Sequence, residues 1–101
     1  MTVTILLVED EPTLRTGTEQ FLRQRGFTVL TAASGEEALE QFAEADVIVL
    51  DIMLPGMSGI EVLHQIRQAS DVPVLMLTAL HDEPTQVASF DELADDYMSK
   101  P

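Results

Sequence analysis

At 101 residues the chain is long enough for one domain around a single core. Eighteen Asp+Glu against five Lys+Arg leave a formal net charge of -13, and so acidic a surface repels nucleic acid and anionic lipid, so no direct nucleic-acid contact is expected. There is no Cys, which excludes disulfides and thiolate metal sites and fits a cytoplasmic protein; no apolar run is long enough to span a bilayer and no basic-then-apolar leader is seen, so neither membrane helix nor signal peptide is expected.

Residues 3–8 form a near-continuous apolar run, the pattern of a parallel strand covered on both faces. Pro12 suits the first turn of a helix, where its missing N–H costs nothing. Leu14, Thr18, Phe21, Leu22 and Arg25 follow at helical spacing, and Gly26 can end that helix. Residues 27–32 read as a second strand. Ser34 with Glu37 forms a capping box for a second helix, whose buried stripe would be Ala38, Leu39 and Phe42. Residues 46–50 read as the third strand, and Pro55–Gly56 as a turn.

Ser58 and Glu61 make a second capping box, opening a helix with Ile60, Leu63 and Ile66 on its apolar face. Residues 72–77 are the fourth strand. Asp82 can cap a fourth helix from Glu83 to about Leu93, with Pro84 in its first turn and Val87 and Phe90 as anchors. Residues 96–99 are a short fifth strand. Alternation of buried strands with helices predicts a doubly wound α/β fold.

In an open parallel sheet the carboxyl ends of the strands form one edge, where ligands bind. Glu9 and Asp10 follow the first strand, Asp51 the third, Thr78 the fourth and Lys100 the fifth. Three carboxylates, a hydroxyl and an ammonium therefore converge. Each close carboxylate pair costs roughly 4 kcal/mol at an effective dielectric of about 20. Holding a divalent cation, activating one carboxylate, or both would offset that cost. Taken singly, each residue has a plainer reading: Asp51 as a turn former, Thr78 as a β-branched strand residue, Lys100 as a surface lysine. Glu11 fits a helix-capping role in the acidic loop. His64 and His81 lack partner spacing and are not expected to bind metal.

Four motifs occur in order: Ile5-Leu6-Leu7-Val8-Glu9-Asp10-Glu11-Pro12, Val49-Leu50-Asp51-Ile52-Met53-Leu54-Pro55-Gly56, Met76-Leu77-Thr78-Ala79 and Ala94-Asp95-Asp96-Tyr97-Met98-Ser99-Lys100-Pro101. Through them the chain resembles the receiver domain of bacterial two-component response regulators, and the subfamily in which the receiver precedes a winged-helix DNA-binding domain. The resemblance covers residues 1–101 and implies a flavodoxin-like five-stranded parallel sheet of order 2-1-3-4-5.

The resemblance also implies the roles. Asp51 would be the phosphoacceptor, taking its phosphoryl group from a sensor histidine kinase. Asp10 and Asp51 would hold Mg²⁺, or Mn²⁺, directly, with Glu9 through water and the backbone carbonyl of Met53. Thr78 would donate to a phosphoryl oxygen and Lys100 supply a second cation. Tyr97 would swing inward as Thr78 moves, and phosphorylation would promote homodimerisation of the full protein and control its DNA-binding output domain. Two departures stand out. Leu93 stands where a Gly is customary, and Leu adopts an αL cap only at a cost of about 1–2 kcal/mol. No fifth helix follows the fifth strand, so an incomplete domain is expected.

Other classes fit less well. An Asp-nucleophile phosphatase would carry a second acid at position 53, which is Met. A flavin carrier on this sheet order would meet its phosphate with Glu9, Asp10 and Glu11, which repel it. A receiver-like domain that only binds protein would not require Asp10, Asp51, Thr78 and Lys100 together.

Overall fold

The computed structural model describes residues 2–51, 54, 56–78 and 96–99. Strands and helices alternate along them: β1 (Thr4–Val8), α1 (Pro12–Gln24), β2 (Thr28–Ala32), α2 (Gly35–Gln41) running into a 3₁₀ turn (Phe42–Glu44), β3 (Val47–Asp51), α3 (Gly59–Arg67), β4 (Val74–Thr78) and β5 (Asp96–Ser99). All pairings are parallel, in the order β2-β1-β3-β4-β5. This is the flavodoxin-like order expected. The fourth helix expected from Glu83, its cap Asp82, Leu93 and Pro55 lie outside the described residues.

Side chains alternate across each strand. On one face Leu6, Val8, Ile48, Leu50, Val74 and Met76 pack with Ala38 of α2 and Val62, Leu63 and Ile66 of α3, all buried. Leu39, Phe42 and Ile60 pack against this cluster from its margin. The expected α3 stripe omitted Val62, which is fully buried. The two helices meet closely at Gly35: a Cβ there would lie 2.6 Å from Val62 Cγ2 and 3.2 Å from Met57 Cβ.

The opposite face is covered more thinly. Ile5 and Leu7 are buried, but Val47, Val49 and Leu75 are only half-buried. α1 lies against β1 and β2. Its expected stripe is no deeper than half-buried, and Phe21 is 53% exposed. The Arg25 guanidinium sits 4.5 Å from the centre of the Phe21 ring, a cation–π contact that shields part of its face. Gly26, with φ of 94°, ends α1 in the left-handed conformation expected.

The caps follow the sequence. Ser34 Oγ accepts from the Glu37 amide at 3.2 Å, and Ser58 Oγ from the Glu61 amide at 3.3 Å. β3 starts one residue later than expected. Asp46 is spent on a clamp instead: its amide donates to Thr4 O at 2.8 Å, while the Thr4 amide donates to Asp46 Oδ2 at 2.8 Å. β4 begins after Pro73, which has no N–H for the ladder but whose carbonyl accepts from the Ile48 amide at 2.9 Å.

Candidate metal centre and phosphoacceptor edge

Register places the acids side by side. Val8 pairs with Leu50, so Glu9 follows β1 at the level of Asp51, the last residue of β3. Their carboxylate oxygens, with one from Asp10, lie within 4.8 Å of one another. Glu9 and Asp51 are 2% and 1% exposed, whereas Asp10 is more exposed than either. Strand alternation puts Glu9 in the row of Ile5 and Leu7, and Asp51 in the row of Val47 and Val49. The thinly covered face thus ends in the two buried acids.

The loop carrying Glu9 and Asp10 is tightly tied. The Glu9 amide donates to Ala32 O at 3.0 Å, extending the β1–β2 ladder by a residue. Glu9 Oε2 accepts from the Glu11 amide at 3.2 Å. Glu11 is the N-cap of α1, its carboxylate accepting from the amides of Thr13 and Leu14. That is the capping role its sequence position predicted, and it separates Glu11 from the triad. Arg15, one turn into α1, reaches back to donate to Glu9 O at 2.9 Å and Asp10 O at 3.3 Å.

Of the residues singled out in the sequence, Glu9, Asp10 and Asp51 come together. Thr78 ends β4; because Asp51 pairs with Leu77, Thr78 stands one step beyond it on the neighbouring strand. Thr78 in turn pairs with Ser99, and Tyr97 with Met76. Met53, His81 and Lys100 lie outside the described residues. His64 is exposed on α3, away from any candidate role.

Sequence reasoning passed over Arg15. A signal was present: a cation near a helix N-terminus opposes the helix dipole, so a basic side chain there calls for a local partner. Here the partners are the carbonyls of the acidic loop.

The donor set is oxygen only, with up to three negative charges. That chemistry suits a small hard cation such as Mg²⁺, which takes one or two carboxylates and keeps water in its remaining positions. It does not suit the softer metals that favour thiolate or imidazole.

Comparison with known proteins places the fold and the edge in context. Residues 5–101 match the family model described as the response regulator receiver domain. Response regulator RR06 of Streptococcus pneumoniae is 46% identical over 99 residues, covering 96% of this chain and 46% of that protein. Transcriptional regulatory protein AfsQ1 of Streptomyces coelicolor is 44% identical over 99 residues, covering 96% of this chain and 44% of its own length. The chain thus spans less than half the length of these curated relatives. Among solved structures, response regulator TrrA of Thermotoga maritima, in complex with Mg²⁺–BeF, superposes with a TM-score of 0.86 at 38% identity, covering 100% of this chain and 88% of that one. With a family match that runs through β1 to the last residue and a shared sheet order, the chain belongs to the response regulator receiver domains of two-component systems.

Proposed function

We propose that Asp51 is the phosphoacceptor of this receiver, charged by a sensor histidine kinase in a Mg²⁺-dependent reaction. The observation that carries this reading is the seat of Asp51: it is buried at the end of β3, its carboxylate within 4.8 Å of those of Glu9 and Asp10. A carboxylate oxygen of Asp51 attacks the phosphorus. The O–P bond forms as the P–N bond to the kinase histidine breaks, and the freed imidazole is released on the kinase. When bound, Mg²⁺ neutralises charge on the phosphoryl oxygens and lets the anionic nucleophile approach.

Asp10 and Asp51 hold the cation directly. Glu9 would reach it through water; the three carboxylates, within 4.8 Å of one another, are close enough to serve one ion. The backbone carbonyl of Met53 completes the protein ligands. Thr78 donates to a phosphoryl oxygen and Lys100, the one basic residue of the four motifs, balances its charge. The domain exchanges phosphoryl groups only with its own Asp51 and hydrolyses the acyl phosphate slowly, so it is a switch rather than an enzyme of metabolism.

The larger role is read from the relatives. Residues 1–101 are the receiver portion of a longer cytoplasmic regulator. Its output is a C-terminal DNA-binding domain, controlled by a shift of Thr78 and Tyr97 that promotes homodimerisation. Incubation with acetyl phosphate and Mg²⁺, followed by intact mass measurement, tests the core of this reading. One phosphoryl group should add to the wild type and none to Asp51→Asn; single-site labelling of Asp51→Asn at the wild-type level rejects Asp51.

A further inference from the structure

We infer that Arg15 is a positioning residue for the cation site, a role that rests on the metal reading of Glu9, Asp10 and Asp51. Glu9 and Asp51 are fixed by burial, but Asp10 is more exposed than either and lies just beyond the strand. Something else must hold it. The Arg15 guanidinium donates to the carbonyls of both Glu9 and Asp10. These two carbonyls belong to the peptide planes on either side of the Asp10 Cα. Because each plane is rigid, pinning both fixes the φ and ψ of Asp10, and with them the direction of its side chain.

The other described arginines are engaged elsewhere. Arg23 pairs with Glu19 and donates to Val29 O; Arg67 donates to the carbonyls of Ser70 and Val72; Arg25 covers Phe21. Arg15 alone among them grips the acidic loop. Its charge and its geometry act in opposite senses on a bound cation. The charge repels the ion, whereas the two hydrogen bonds place a ligand for it. Both bonds come from one nitrogen, Nη1, and Arg and Lys separate these effects because Lys keeps the charge but carries it on a flexible, strongly hydrated ammonium rather than on a pre-organised planar group.

Mn²⁺ serves as the probe, its affinity for the full chain read by electron paramagnetic resonance below the melting temperature of every variant. Arg15→Lys and Arg15→Ala should both weaken Mn²⁺ binding by roughly 10-fold, the lower end of what loss of a ligand's supporting partner costs. Arg15→Gln, which keeps a donor and loses the charge, should fall between them and the wild type. Unchanged affinity in Arg15→Lys, with tighter binding in Arg15→Ala, overturns positioning and leaves only a charge effect. A lowered metal-free melting temperature with unchanged Mn²⁺ affinity overturns it as well, leaving a merely structural role. Asp10→Asn is the reference. If it weakens Mn²⁺ binding while the Arg15 variants do not, positioning fails and the metal reading stands. A wild type that does not bind Mn²⁺ rejects both.

Discussion

Among the described residues the two faces of the sheet are buried to different depths. On the α2–α3 face the alternating residues of β1, β3 and β4 are closed off from water. On the α1 face Val47, Val49 and Leu75 stay half-buried and Phe21 is mostly exposed. Yet the rows of the thinly covered face are those that end in Glu9 and Asp51. One face concentrates apolar burial. The other ends in acids set close enough to repel one another. Packing on the first face holds the strand register that the second needs for chemistry.

Adjacent residues of β3 give the sharpest way to break this contrast. Ile48 is fully buried on the packed face, so Ile48→Ala should cost about 2–5 kcal/mol in urea denaturation. Val49, its half-buried neighbour, loses less surface and leaves no closed cavity; Val49→Ala should cost about 1 kcal/mol. Equal losses would mean that both faces are closed in solution. Gly35→Ala probes the packed face by adding volume. Its new Cβ would lie 2.6 Å from Val62 Cγ2, and Val62 is buried and stiff at χ1. The expected cost is about 1–3 kcal/mol, as for other overpacked cores; an unchanged urea midpoint would show that α2 can slide on α3.

An effect as small as that of Val49→Ala is expected at the acidic edge, and it has the opposite sign. Asp10→Asn removes one of three crowded charges at the most exposed of their positions. It should raise metal-free stability by about 1 kcal/mol while reducing the stabilisation that millimolar Mg²⁺ gives the wild type. Loss of metal-free stability in Asp10→Asn would show that the triad does not repel as its spacing implies.

Most of this was legible in the residues themselves, because it depends on local signals. The apolar runs gave the strands, Ser34 and Ser58 the helix starts, Gly26 a helix end, and three strand-terminal acids the edge. What escaped depends on where backbone groups of distant segments come to lie. Asp46 looked like the first residue of β3, but its carboxylate is turned to the Thr4 amide across the sheet. The α1 spacing marked one side of a helix, and periodicity reports which residues share a side and not how deeply a neighbour covers it. Val62 escaped for a related reason: it is buried where α3 meets α2, against Gly35, a contact the α3 spacing does not reveal. Arg15 was invisible as a site residue because its partners are carbonyls, which carry no mark in a sequence.

The parallel pairing of β1 with β3 has one more consequence. Parallel neighbours cannot be joined by a tight turn, and the chain between Asp10 and Asp51 makes α1, β2 and α2 before it returns. No single segment therefore carries the acidic triad, and the unfolded chain offers only scattered carboxylates. Any ion held there closes a long loop of the chain and binds the folded state alone, so its binding free energy adds to the free energy of folding. At one hundred times its dissociation constant such an ion adds about 2.7 kcal/mol, a sizeable share of the roughly 5–15 kcal/mol that holds an ordinary domain together. On the metal reading proposed above, the supply of the ion would set resistance to unfolding as well as occupancy of the edge.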